Sequence, residues 1–176
     1  MDSQLISPDD TSERRKDILT WCLAGMILLS SCAIGLSTRY TLSLNTTESL
    51  DYRVFITDKR QKHIEKGEYV KFLLPPNKYF YQSHWTKRVA GVPGDTITVN
   101  GRDVYVNGQF VGHAKDRSAT NTEYFPIEPG IIPPGYYFMQ ADHEDSYDSR
   151  YKSFGLVHES TFIGRDYPLW KRGSSS

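Results

Sequence analysis

Cysteine is nearly absent from this chain. Cys22 and Cys32 are the two, both lie inside one apolar run, and nothing after residue 32 can form a disulfide. On a helix their separation is a rotation of roughly 280°, so they face different ways and are poor partners for each other. The cysteine-free remainder needs no disulfide and tolerates an oxidising compartment. An excess of either charge is lacking too: Lys plus Arg and Asp plus Glu each number 21, so no net field draws nucleic acid or an acidic surface. The histidines, His63, His84, His113, His143 and His158, come without a Gly-x-Ser-x-Gly elbow, so a serine-histidine triad has no support. No constellation of metal ligands and no internal repeat appears, and no cofactor or metal is expected. At 176 residues one core is the expectation.

One long hydrophobic run is present. Residues 18–38 are uncharged, between Asp17 and Arg39, and as a helix they would span roughly 30 Å, the thickness of a bilayer core. A buried core helix would carry a polar stripe that this run lacks. Leu29-Ser30-Ser31-Cys32 looks like a lipoprotein cleavage box, but the apolar run continues past Cys32, as a spanning helix requires. Arg14, Arg15 and Lys16 precede the run and Arg39 alone follows closely, so the positive-inside bias assigns residues 1–17 to the cytoplasm as a polar tail. The expectation is a single-pass protein, with residues 18–38 crossing the bilayer and residues 39–170 forming an exported domain that faces the periplasm or the outer membrane surface. Residues 171–176, ending in Gly-Ser-Ser-Ser, read as a flexible tail.

Beyond Arg39 the pattern changes to short alternating segments at 53–57, 68–74, 87–92, 95–99, 103–106, 136–140 and 161–164. They are rich in Val, Ile, Tyr, Phe and Thr and are punctuated by Gly, Pro and Asn. That is the signature of a mainly β domain of antiparallel strands. Asn100-Gly101 separates two alternating runs and reads as a hairpin with a type I′ turn, and Asn107-Gly108 turns the chain again. Residues 112–123 read as a loop, and short helical turns are expected near 58–64 and 158–161.

A serine nucleophile without a histidine needs another base. A lysine serves only if its pKa falls from about 10.4 towards 7–8, which burial against apolar walls achieves. Lys87 opens a segment with Val89, Val92 and Pro93 as apolar neighbours. Local composition also leaves open a surface lysine on a strand edge.

The run Lys87-Arg88-Val89-x-Gly91-x-Pro93-Gly94-Asp95 resembles the lysine box of type I signal peptidases. Lys66-Gly67-Glu68-Tyr69-Val70 resembles the box preceding it. Gly135-Tyr136-Tyr137-Phe138, then Asp142, then Ser146-x-Asp148-Ser149-Arg150 and Phe154-Gly155 resemble the last one. Asn45-Thr46-Thr47-x-Ser49-Leu50 resembles the serine box of the conjugative-transfer (TraF-like) branch, which processes or cyclises pilin subunits. The resemblance implies a signal-peptidase-like antiparallel sheet or barrel after one transmembrane helix. It implies Ser49 as nucleophile and Lys87 as general base, the Ser49 N–H and the Thr47 hydroxyl as oxyanion donors, and Ser146 as the group orienting the lysine. Asp148 and Arg150 would form a supporting ion pair.

Three departures from the family pattern stand out. Asp51 replaces a proline, Ala141 replaces a glycine, and Lys152 and Ser153 separate Tyr151 from Phe154. A carboxylate at Asp51 could stabilise protonated Lys87 and weaken the base. The short link between Arg39 and Ser49 reaches at most roughly 30 Å, which keeps the nucleophile near the membrane.

The implied function is a membrane-anchored serine endopeptidase of the Ser-Lys type that removes leader peptides from membrane-bound preproteins, with propilin processing in conjugation as the specific expectation. Small residues before the scissile bond, as in Ala-x-Ala, are expected. Pilin cyclisation, a general secretory leader peptidase and a non-catalytic pilus-assembly β-domain are the alternatives. A self-cleaving repressor is remote, because the chain has an anchor and no DNA-binding head.

Overall fold

The computed structural model describes residues 8–74, 83–118 and 121–173, and they divide into two units, residues 1–39 and 40–176. The first is one helix, α1 (Pro8–Arg39), whose stretch Arg14–Arg39 is long and apolar enough to cross a membrane. Its side chains from Arg14 on are exposed, among them Trp21, Leu28 and Leu29, and Cys22 and Cys32 are free thiols. A soluble helix does not leave such side chains in water all round.

The second unit is built from β1 (Tyr40–Leu44), β2 (Tyr52–Asp58), β3 (Tyr69–Leu74), β4 (Ser83–Gly91), β5 (Thr96–Asn100), β6 (Asp103–Val106), β7 (Gln109–His113), β8 (Gly130–Ile131), β9 (Tyr136–Gln140), β10 (Val157–His158) and β11 (Phe162–Lys171). A 3₁₀ turn, Glu159–Thr161, precedes β11. One sheet has the order β1-β2-β11-β3-β4-β9-β10 and the other β7-β6-β5-β8, with every pair antiparallel. The mainly β expectation holds.

Alternation decides which faces are buried. In β3, Val70, Phe72 and Leu74 are buried while Tyr69, Lys71 and Leu73 are partly exposed, the period-two pattern of a strand with one face on the core. Val89, Val104, Val106, Ile132, Phe138, Met139 and Tyr151 complete a core shared by both sheets. β11 lies between β3 and β2 from Arg165 to Asp166, but from Tyr167 onward it pairs with β2 alone. One side is then unpaired, so Pro168 can occupy the strand at the cost of a register shift before Trp170.

Four local expectations change. Asn100 pairs with Asp103, so the first hairpin turns through Gly101-Arg102, with positive φ at Gly101 alone. That is the pattern of a type II′ turn, and the type I′ pattern falls on Asn107-Gly108, where φ is 50° and 76°. No helical turn forms over 58–64, because the Asp58 carboxylate accepts the Arg60 N–H and closes a tight turn out of β2. The loop expected at 112–123 begins only after His113, and β11 runs one residue beyond the expected boundary at 170.

Gly164 lies where β11 crosses β2 and β3, and a Cβ there would drive into the Asp58 carbonyl and the Lys59 Cα. Both are backbone atoms, so Gly164→Ala should lower the stability of the full chain by about 1–3 kcal/mol, measured by urea unfolding in detergent micelles.

Candidate active site

Three segments far apart in the chain converge on one cavity of about 810 Å³. Its lining includes Thr47 and Ser49 from the turn after β1, Trp85 and Lys87 from β4, and His143 and Ser146 from the segment after β9. The sheet creates this meeting. β4 holds Lys87 opposite Val70 of β3, and β1 delivers the Ser49 turn from the far end of the same sheet.

Lys87 is 1% exposed, among the most buried side chains of the domain. Burial penalises its ammonium form and lowers its pKa to about 8; the Asp148 and Asp142 carboxylates act in the raising direction and the Arg150 guanidinium lowers it further. Its Nζ lies 5.3 Å from the centre of the Trp85 ring. At pH 7 a pKa near 8 leaves about one lysine in ten neutral, against about one in three thousand at the ordinary value. Asp51 does not act on this amine: its side chain is exposed, while its N–H donates to Asp142 and its carbonyl accepts from the Arg172 N–H.

The hydroxyl of Ser49 is hydrogen-bonded to Thr47 Oγ1 at 2.8 Å, and no hydrogen bond joins it to Lys87 among the described residues. Thr47 Oγ1 in turn donates to Asn45 Oδ1 at 2.9 Å. An amide oxygen only accepts, so the single Thr47 proton goes to Asn45 and Ser49 is the donor in the other bond. Thr47 as an oxyanion donor therefore requires its proton to turn away from Asn45 when substrate arrives. The Ser49 N–H has no acceptor among the described residues and is free for that purpose. Ser146 lines the cavity without a hydrogen bond from its hydroxyl to Lys87.

The segment that carries Ser146 is fixed by a buried ion pair. Arg150 meets Asp148 through Nε–Oδ1 at 2.8 Å and Nη2–Oδ2 at 3.0 Å, and both side chains are buried. Asp148 Oδ2 also accepts the Ala141 N–H, and Arg150 Nη2 donates to the Ser146 carbonyl at 2.8 Å. Removing either partner would leave the other charge buried and unpaired.

Two positioning residues were not singled out from sequence. Asp142 accepts from the Asp51 N–H, from Tyr69 Oη at 2.8 Å and from Arg88 Nε at 3.2 Å, while the Asp142 and His143 N–H groups donate to the Ser49 carbonyl. Burial, reinforced by Asp142, pushes the Tyr69 hydroxyl up, which keeps it a donor. Asn45 ties the turn from the other side, through its N–H to the Arg53 carbonyl and its amide to the Tyr52 carbonyl. Both residues stand within boxes the sequence already displayed, which was the available signal.

The profile for "Signal peptidase, peptidase S26" matches residues 14–170. The chain is 27% identical over 168 residues to the conjugal transfer protein TraF of Agrobacterium fabrum, covering 84% of this chain and 92% of that protein. It is 30% identical over 164 residues to a probable signal peptidase I of Synechocystis, covering 84% and 72%. A crystal structure of a signal peptidase I from Enterococcus faecalis aligns over 60% of this chain and 97% of that one, with TM-score 0.39 and 24% identity.

Because Lys87 binds its proton less tightly in the folded state, its burial destabilises the fold by about 3 kcal/mol below pH 8, and this penalty fades as pH rises towards 10.5. Lys87→Met should therefore melt above the wild type at pH 7, with the gap narrowing between pH 8 and 10.5. Loss of the Asp142 carboxylate should loosen the nucleophile turn. In Asp142→Ala, hydrogen exchange of peptides covering residues 45–51 should quicken by about tenfold or more, the scale of one lost hydrogen bond.

Proposed function

The chain belongs to the signal peptidase family, and on that premise we propose that it is a membrane-anchored serine endopeptidase in which Ser49 and Lys87 cleave the leader from an exported preprotein. The observation that carries this reading is a buried lysine with its pKa lowered to about 8, lining the same cavity as a serine hydroxyl. Neutral Lys87 takes the Ser49 proton as Oγ attacks the scissile carbonyl. The Ser49 N–H, and Thr47 after its proton turns, stabilise the oxyanion. Lys87 then gives its proton to the leaving amine, and the acyl-enzyme remains. Water, deprotonated by Lys87, attacks the ester, and Ser49 recovers its proton. Ser146, Asp148 and Arg150 act through position: the ion pair fixes the segment, and the segment sets the lysine's wall.

With the N-terminus in the cytoplasm and the β domain in the periplasm, the enzyme would meet substrates whose leaders share its bilayer, at the raised local concentration of a tethered pair. The Agrobacterium relative, matched over nearly its whole length, favours a propilin of a conjugative system as substrate. If the pilin's own amine replaces water at the acyl-enzyme, the product is cyclic.

Co-expression of a propilin with wild type, Ser49→Ala or Lys87→Ala, followed by mass spectrometry, tests the reading. Trimming by wild type alone is expected, and a cyclic product would be lighter than the linear one by one water. Trimming that persists in both variants would overturn the dyad; a propilin untouched by wild type would favour a general leader peptidase or a binding domain. The rate carries a second signature. Since the base must be neutral, kcat/KM should rise about tenfold between pH 7 and 9 and level off above pH 8.

A further inference from the structure

A second lysine lines the cavity that holds Ser49 and Lys87. Lys71, in β3, donates from Nζ to Ser43 Oγ at 2.6 Å, and both side chains line the cavity together with Trp85 and Thr86 of β4. Ser43 Oγ lies 3.1 Å from Thr57 Oγ1, and Thr86 Oγ1 donates to the buried Asp166 carboxyl at 2.7 Å, so the polar strip continues into the sheet. Nothing in the reaction assigned to Ser49 and Lys87 uses it.

The ammonium has more donors than partners. Of its three N–H groups, one reaches Ser43, and among the described residues no other acceptor or ion-pair partner meets Lys71. Asp166, the carboxyl on the same strip, has its pKa raised by burial, while hydrogen bonds from Thr57 and Thr86 and the charge of Lys71 act the other way; it lies within electrostatic reach of Lys71, but no ion pair at contact distance joins the two among the described residues. A cation with unfilled donors on the wall of a substrate cavity is suited to a carboxylate. The edge of β1 supplies the approach. β1 ends the seven-stranded sheet, and its Leu42, Ser43 and Leu44 line the cavity, so an extended peptide can pair with that edge and present alternate side chains to one wall.

We propose that Lys71 and Ser43 form a specificity subsite for an acidic side chain of the substrate, within about three residues of the scissile bond. The subsite rests on the reading of this cavity as the place of peptide cleavage. It makes the enzyme selective among leader-bearing chains by charge as well as by size.

The test uses the full chain in detergent micelles and alanine-cored decapeptides that carry glutamate or glutamine in turn at each of the three positions before and after the bond. Wild type should cleave the glutamate peptide about tenfold faster in kcat/KM at one position, the scale of one charge-assisted hydrogen bond. Lys71→Met should bring that ratio to about one, and Lys71→Arg should restore most of it. Lys71→Gln replaces the methionine variant should that one fail to fold. Equal cleavage of both peptides at every position, or a ratio unchanged without Lys71, overturns the subsite. The same pairs are titrated onto Ser49→Ala protein by fluorescence anisotropy. Should wild type cleave no peptide, this binding arm decides: a glutamate preference lost in Ser49→Ala/Lys71→Met sustains the subsite, and no preference overturns it.

Discussion

The burial of one amine sets the chemistry this cavity can offer. Lys87 occupies a core position of β4, where Val70 faces it across the ladder and the Trp85 ring flanks its nitrogen. A lysine there costs stability at neutral pH, and that cost is what would suit it to the proposed role of base, because the desolvation that opposes its charge leaves a usable fraction of free amine. The surrounding charges temper the effect without cancelling it. Asp148 and Asp142 pull the amine back towards protonation and Arg150 opposes them. Both carboxylates are themselves paired with arginine, Asp148 with Arg150 and Asp142 with Arg88.

The proposed nucleophile has the opposite problem. Ser49 lies in a turn, and turns are held only by what ties them. Ties from remote and neighbouring segments hold it. Asp142 and His143 grip the Ser49 carbonyl, the Asp142 carboxylate takes the Asp51 N–H, Asn45 joins the turn to β2, and Arg172 donates to the Thr47 carbonyl at 2.5 Å and to the Asp51 carbonyl at 2.7 Å. The same Asp142 that acts on Lys87 therefore also sets the position of Ser49. On the proposed reading, a base in the core and a nucleophile on a tethered turn give one rigid and one adjustable partner, which would suit a serine that leaves Thr47 when substrate arrives.

Much of this was legible in the chain, and the reasons differ by element. β6 and β9 were readable to the residue because their alternation is bounded by Gly, Pro or Asn. β1 was missed: Tyr-Thr-Leu-Ser-Leu follows an apolar helix directly, with no turn residue to mark the boundary, and its leucines point to the exposed side. β11 reads from sequence as four residues where the strand has ten, since Pro168 argues against a strand unless one neighbour is already absent. At the site, the residue types of each box could be read, but the proton order Ser49–Thr47–Asn45, the Asp142 hub and the Lys71–Ser43 pair are contacts between strands remote in sequence. Pattern reports what each residue is; only register reports what it meets.

The central claim is that burial lowers the pKa of the Lys87 amine towards neutral pH, and direct titration tests it. With lysine labelled at the side-chain nitrogen and adjacent carbon in the full chain, and Lys87→Met used to assign the resonance, nuclear magnetic resonance would follow that one amine from pH 6 to 11. The account predicts a midpoint near 8. A midpoint at or above about 10, the value of a solvated lysine, would contradict it.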